Sequence, residues 1–177
     1  MSRIRITGGV WRSRLLSVAA IRGLRPTPDR VRETLFNWLG QNLSGLNCLD
    51  LFAGSGVLGF EAASRGANLV TLVEQDQRTF AALRHNADAL GAVRLELVRA
   101  DALEFLSRPP RRYDVVFLDP PYGCGWLTRI EELLPRALDE RAVIYAEAER
   151  GLERIGNWLT CKRGKAGKVH YHLLRAE

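Results

Sequence analysis

The sequence predicts an α/β fold: a mostly parallel, doubly wound sheet that ends in a C-terminal antiparallel hairpin and is preceded by a small N-terminal β-hairpin and helix. Three observations predict it. Short apolar runs at 47–52, 69–73, 93–98, 113–118 and 142–146 alternate with helical segments such as 79–90 and 126–138, as strands covered on both faces do. A glycine-rich turn follows the first of those runs. The chain's 177 residues suffice for one core without disulfides or metal.

Each element has a local signature. Arg3-Ile-Arg-Ile-Thr alternates basic and apolar residues, as a strand with one wet face does. Gly8-Gly9 is a turn signal, and residues 10–16 run back beside the first strand as a hairpin. Residues 22–26 read as a loop. Thr27-Pro28 predicts a helix start, threonine as cap and proline in the first turn. Val31, Leu35 and Leu39, with Trp38 beside them, then mark one apolar face, and Gly45 closes this section. The tail differs: runs at 158–163 and 168–174 flank the turn-prone Gly164-Lys-Ala-Gly167, which predicts a hairpin at the sheet edge. With no repeats or low-complexity linkers, the chain divides into a basic extension, 1–45, and an α/β domain, 46–177.

Composition narrows the function classes. An apolar fraction of 46% with 26% charged residues is ordinary for a soluble globular protein. No apolar run reaches the roughly 18 residues of a membrane span, and the N-terminus lacks a signal peptide's apolar stretch. Three scattered cysteines without a Cys-x-x-Cys pair argue against a disulfide framework or zinc site. His170 and His172 share a strand face, but a metal site needs further ligands. The expectation is a cytoplasmic protein without a metal. Its positive charge is concentrated: residues 1–32 carry eight arginines against one acid, Asp29, whereas the remainder is close to neutral. Arginine grips phosphate through a two-pronged donor set, and each phosphate contact releases counterions. The asymmetry predicts a nucleic-acid partner.

Two stretches carry chemistry. In Asp50-Leu-Phe-Ala-Gly-Ser-Gly-Val-Leu-Gly59, the glycines Gly54, Gly56 and Gly59 spell G-x-G-x-x-G between a strand and a helix, where a ligand can lie against the backbone. Glu74 follows the second strand and can accept from ribose hydroxyls. That much fits either a dinucleotide oxidoreductase or a methyltransferase using S-adenosylmethionine. Asp50, at the first strand's end, and Asp101-Ala102, after the third, favour the second. Three acids at successive strand ends suit a ligand bearing an ammonium and a sulfonium, and they would repel a pyrophosphate. The other stretch is Asp114-Val-Val-Phe-Leu-Asp-Pro-Pro-Tyr122. The apolar strand delivers Asp119, and two prolines stop its continuation. The Asp119 carboxylate and Pro120 carbonyl are then acceptors aimed at one point. An exocyclic amine needs them, because it becomes nucleophilic only when its N–H bonds are held out of conjugation with the base. Tyr122 offers a face on which a base can stack.

These residues resemble the Rossmann-like, class I amino-methyltransferases that use S-adenosylmethionine. The resemblance implies cofactor contacts from Asp50, Phe52, Gly54, Gly56, Glu74, Asp101 and Ala102, and a catalytic motif at Asp119, Pro120, Pro121 and Tyr122. A closer resemblance spans nearly the whole chain. Arg3-Ile-Arg-Ile-Thr-Gly-Gly, Gly23-Leu-Arg-Pro-Thr and Asp29-Arg-Val-Arg-Glu-Thr-Leu-Phe-Asn-Trp-Leu look like the RsmD family of bacterial 16S ribosomal RNA guanine-N2 methyltransferases. This implies methyl transfer to one guanine of 16S rRNA already assembled with ribosomal proteins. Arg3, Arg5, Arg12, Arg14, Arg25, Arg30 and Arg32, with Lys165 and Lys168 of the tail hairpin, are the expected phosphate contacts. The length leaves no room for a separate target-recognition region, so the arm and loops must recognise the RNA by shape. Open alternatives are adenine N6 of DNA or a glutamine amide as the amine, a NAD-linked oxidoreductase, and a non-catalytic RNA-binding assembly factor.

Overall fold

The computed structural model describes residues 2–20 and 26–177. Eight strands form the central sheet in the order β5-β4-β3-β6-β7-β10-β9-β8. Five of them, β3 (Asn47–Asp50), β4 (Leu69–Val73), β5 (Leu95–Val98), β6 (Tyr113–Leu118) and β7 (Leu138–Ala148), run parallel. The remaining three, β8 (Arg154–Ile155), β9 (Trp158–Ala166) and β10 (Val169–Ala176), pair antiparallel, β10 beside β7. Helices α2 (Val57–Ser64), α3 (Gln77–Leu90), α4 (Ala102–Ser107) and α5 (Trp126–Ile130) connect the parallel strands, after a separate two-stranded sheet of β1 (Ser2–Arg5) and β2 (Leu15–Val18) and then α1 (Asp29–Leu39). No helix among the described residues is long and apolar enough to cross a membrane.

Several elements differ from their local signatures, each for a tertiary reason. The run at 142–146 is the middle of an eleven-residue strand, because β7 has partners on both sides. The helix expected over 126–138 breaks after Ile130 and continues as a 3-10 turn, Leu134–Ala137, around Pro135, whose missing N–H cannot extend the helical ladder. Gly8-Gly9 does not turn the first hairpin tightly. Instead residues 6–14 make an excursion that docks on the end of α2: Val10 N–H donates to the Ser64 carbonyl at 2.8 Å, and Trp11 N–H donates to Ser64 Oγ at 2.9 Å. Gly9 has φ +76°, and a Cβ there would sit 1.9 Å from the Ser64 oxygen. Only glycine permits that approach.

Each face of the sheet has its own apolar core. One joins Ile4, Leu16, Val31 and Phe36 of the first 45 residues to Cys48, Val70, Phe117 and Tyr145 of the sheet. The extension therefore shares a core with the strands rather than standing apart. The other core gathers Leu49, Val116, Phe105, Trp126 and Trp158. Asn86 of α3 fastens β2 by exchanging two hydrogen bonds with Ser17, at 2.9 and 2.8 Å. His172, one of the strand pair considered for metal, is buried between strands instead. Its Nε2 accepts from Leu152 N–H at 3.0 Å, and its Nδ1 lies 3.2 Å from the Ala146 carbonyl.

Buried charge locks the extension to the sheet. Arg32, expected among the phosphate contacts, is 1% exposed and cannot reach RNA. Its Nη1 donates to the Thr27 carbonyl and its Nη2 to the Arg5 carbonyl, both at 2.6 Å. The guanidinium also pairs with Asp29 at 2.8 Å and with fully buried Glu61 at 3.3 Å. Glu61 in turn accepts from Thr7 N–H at 2.7 Å and Thr7 Oγ1 at 2.8 Å, and pairs with Arg65 at 3.1 Å. The correction has a physical cause. On α1 the positions three and four apart, Val31, Arg32, Leu35 and Phe36, face inward together, and the carboxylate of α2 waits there.

Removing one partner of such a pair leaves the other charge buried. Arg32→Ala is expected to destabilise the protein by about 3–5 kcal/mol in urea unfolding. Arg30→Ala, on the exposed side of the same helix, should change stability by less than about 0.5 kcal/mol. Equal effects from the two substitutions would contradict this assignment.

Candidate active site

The five parallel strands bring their carboxyl ends to one edge. The chain order reverses between β3 and β6, and a crevice for ligands opens outside the strand ends at such a switch point. An acidic residue stands at each end: Asp50 closing β3, Glu74 just after β4, Asp101 before α4, Asp119 just after β6, and Glu147 one residue before the end of β7. None of the five forms an ion pair among the described residues.

Two of them shape the glycine-rich loop, and a third caps a helix. Asp50 Oδ2 accepts from Gly59 N–H at 3.1 Å, and Glu74 Oε2 accepts from Gly54 N–H at 3.0 Å. Glu74 Oε1 accepts from Asp76 N–H at 2.7 Å. Asp101 caps α4 through Leu103 N–H at 2.8 Å. Gly56 is left-handed at φ +76°, and a Cβ on it would meet Leu83 at 2.5 Å. Its lack of a side chain thus serves helix packing as well as the turn. Phe52 is half-buried, edge-on to Trp126 with ring centroids 5.3 Å apart. Ala102 turns its methyl into the second core.

Asp119, Pro120, Pro121 and Tyr122 form the other side. No described residue donates to the Pro120 carbonyl, as an acceptor kept for a ligand requires. Beside them lies a cavity of about 180 Å³, lined by Pro120, Tyr122, Trp126, Glu147, Glu149 and Leu152 among others. Tyr122 is 44% exposed on its rim. Asp119 and Glu147 are neighbours because β6 and β7 pair with Leu118 opposite Ala146. Glu147 is buried, and its Oε1 accepts from Tyr145 Oη and from Thr27 Oγ1, each at 2.9 Å. The Thr27 hydroxyl also lies 3.5 Å from Asp119 Oδ2.

Burial raises the proton affinity of Asp50, Asp119 and Glu147. Asp50 is pushed up to about 7, first by burial, while Gly59 N–H opposes and the charges of Glu74 and Glu147 add to it. Asp119 is raised well above the usual carboxylate range by burial, then by Glu147 and Asp50. Glu147 is raised by burial too. The same negative charges, behind burial, lift Tyr122 to about 12.

Thr27 does not cap α1 as its sequence position suggested. Pro28 occupies that place with no side-chain cap bond, and the threonine hydroxyl turns to the carboxyl pair instead. Glu147, Thr27 and Tyr145 escaped the sequence reading. Glu147 was legible: it ends the fifth apolar run as the other acids end theirs. Thr27 and Tyr145 carried no such mark. Arg3, Arg5, Arg12, Arg14, Arg30, Lys165 and Lys168 are all exposed, while Arg25 lies outside the described residues.

Comparison with known proteins places this arrangement in context. The family model described as conserved hypothetical protein 95 matches residues 4–175. The curated ribosomal RNA small subunit methyltransferase D of Escherichia coli is 43% identical over 180 residues, covering 99% of this chain and 91% of that protein. Its namesake from Haemophilus influenzae is 42% identical over 178 residues, covering 96% and 92%. The solved structure of yhhF from Escherichia coli superimposes with a TM-score of 0.89 at 43% identity, covering 99% of both chains.

The raised carboxyls make stability pH-dependent with a definite sign. Unfolded, Asp50 ionises near 3.8; folded, it ionises near 7. The folded state therefore holds the extra proton, so this contribution is full below pH 3.8 and is lost as pH rises through 7. Asp119 and Glu147 act in the same direction. The urea midpoint of the ligand-free protein is expected to fall between about pH 5.5 and 8, and Asp50→Asn should flatten that fall. A profile that rises over this range would sink the assignment.

Proposed function

The chain belongs to the conserved hypothetical protein 95 family, and on that footing we propose that it transfers a methyl group from S-adenosylmethionine to the N2 amine of a guanine in 16S ribosomal RNA of the small subunit. One observation supports this most: a half-buried carboxyl at the end of β6, beside an unclaimed carbonyl and a cavity with an aromatic ring on its rim. That is acceptor chemistry for an exocyclic amine.

The acids fit the cofactor. Buried carboxylates without basic partners are costly, and a ligand bearing an ammonium and a sulfonium relieves that cost. In this reading Asp50 faces the ammonium, Glu74 the ribose hydroxyls and Asp101 the adenine amine, with Phe52, Gly54, Gly56 and Ala102 forming the walls. S-adenosylmethionine, when bound, supplies a methyl carbon made electrophilic by its sulfonium. Asp119 and the Pro120 carbonyl accept the N–H bonds of the amine and free its lone pair for attack. Forming the C–N bond would break the methyl–sulfur bond, whose electron pair returns to sulfur as a neutral thioether; the positive charge thus moved to the amine nitrogen is stabilised by the fixed acceptors of Asp119 and Pro120. The surplus proton passes to the Asp119–Glu147 pair, whose burial gives it high proton affinity. Stacking on Tyr122 contributes about 1–3 kcal/mol. A pyrophosphate would meet the acids unfavourably, which leaves a dinucleotide oxidoreductase without support.

The curated relatives are named for the small-subunit ribosomal RNA, and the exposed basic extension suits that polyanion. The target base must leave its stack to reach Asp119. Recognition then rests on the arginines and on RNA shape, with the assembled or assembling subunit in the cytoplasm as the proposed substrate.

Mass spectrometry of small-subunit RNA from cells with and without the protein should reveal one N2-methylguanine that depends on it. A methylated adenine or protein amide in its place would refute the assignment. Asp119→Ala should abolish transfer while cofactor affinity stays within a few-fold; loss of cofactor binding would put Asp119 in the other subsite. Replacing Arg3, Arg5, Arg12 and Arg14 by alanine should weaken RNA binding and reduce the salt slope by about 0.7–0.9 per lost phosphate contact. An unchanged slope would remove the arm from the interface.

A further inference from the structure

Glu147 has no role in the motif that delivers Asp119, yet it lines the cavity beside Tyr122 and Trp126. Its orientation is set. Oε1 already accepts from Thr27 Oγ1 and Tyr145 Oη, which pins the carboxyl and leaves Oε2 without a described donor. Parallel pairing of β6 with β7 puts Asp119 at its side, and the Thr27 hydroxyl lies within 3.5 Å of both carboxyls, so two acceptor groups from adjacent strands stand together, Glu147 on the cavity wall and Asp119 just before its Pro120–Tyr122 lining.

A purine's Watson–Crick edge can be matched against such a pair. Guanine presents two adjacent donors, N1–H and the N2 amine. Adenine, 2-aminopurine and 2,6-diaminopurine carry a bare N1, which is an acceptor. We propose that Glu147 is a specificity-determining residue that accepts the N1–H of the target base while Asp119 accepts from its N2 amine, so that the paired carboxylates select guanine by its two donors. This rests on the guanine-N2 reading and adds to it the reason for the choice of base. A purine with a bare N1 would set its lone pair against the Glu147 oxygens, and a buried unpaired acceptor is penalised far more heavily than a missing methylene. Thr27 and Tyr145 are positioning residues here, because they hold the reading carboxylate through its other oxygen.

The test uses small subunits reconstituted with RNA that carries guanine, 2-aminopurine or 2,6-diaminopurine at the position the protein methylates. All three bases keep the N2 amine, and only guanine has the N1 hydrogen. The wild-type protein is expected to methylate guanine at least about 100-fold faster than either analogue. In Glu147→Gln the amide can donate to a bare N1, so the preference should shrink at least about tenfold, one factor of ten being 1.4 kcal/mol of discrimination. Equal wild-type rates on guanine and the analogues would overturn the proposal. So would a variant that slows on every base with its preference unchanged, which is the behaviour of a residue that merely props Asp119. Should Glu147→Gln not fold, Tyr145→Phe, which frees the pinned oxygen of Glu147, is expected to shrink the preference instead, and an unchanged preference there would overturn the proposal. A wild-type protein that leaves every guanine N2 of the subunit unmodified would refute the underlying reading instead, so the two failures are distinct.

Discussion

Carboxyl groups buried at the ends of parallel strands, with no basic side chain paired to any of them among the described residues, are the constraint around which this molecule is organised. A parallel sheet forces the strand ends to one edge, and the reversal of chain order between β3 and β6 opens that edge to a ligand. Acids placed there lose water without gaining a cation. The proton affinity of Asp50, Asp119 and Glu147 rises in consequence, with Asp50 reaching about 7. The folded protein is thus electrostatically incomplete at this edge, and a positively charged ligand completes it. The same acids also hold the loop geometry, since Glu74 accepts from Gly54 N–H and Asp50 from Gly59 N–H.

The basic extension contributes more than charge to this arrangement. Arg32 binds the carbonyls of Arg5 and Thr27 simultaneously, and the Thr27 hydroxyl touches the Glu147 carboxyl at 2.9 Å. One short chain of contacts therefore runs from the exposed hairpin, through a buried guanidinium, to the floor of the cavity. Glu61 of α2 anchors the middle of that chain from below. The surface suited to a polyanion and the pocket suited to an amine are parts of one packed body. Their relative placement is fixed by buried hydrogen bonds, each of which is costly to break in a dry environment.

Much of this was readable in the linear chain. The strand at 69–73 and the strand at 113–118 appear at the bounds their apolar runs predicted. So does the carboxyl-terminal bound of the helix at 79–90, where Gly91 takes the left-handed conformation. Asp50, Glu74, Asp101 and Asp119 stand at successive strand ends as expected, because local signals of burial and turn chemistry need no knowledge of distant neighbours. The hairpin of β1 and β2 was legible as an element but not in its turn, whose path is dictated by docking on Ser64. The helix after Trp126 is shorter than its segment suggests, because Pro135 cannot extend the helical ladder and the chain continues as a 3-10 turn.

By itself, then, the sequence determined the α/β class, the glycine-rich turn, the delivery of Asp119 by an apolar strand and the concentration of arginine in the first residues. All of these depend on periodicity, on backbone permissiveness or on net charge, which are properties of neighbouring residues. Tertiary structure alone decided which arginine is buried, which hydroxyl leaves its helix cap and which second carboxyl lies beside Asp119. Those outcomes turn on partners distant along the chain: Glu61 for Arg32, Glu147 for Thr27, and the β6–β7 register for the acid pair. A buried polar group goes wherever its hydrogen bonds can be satisfied, and only the folded chain reveals where that is.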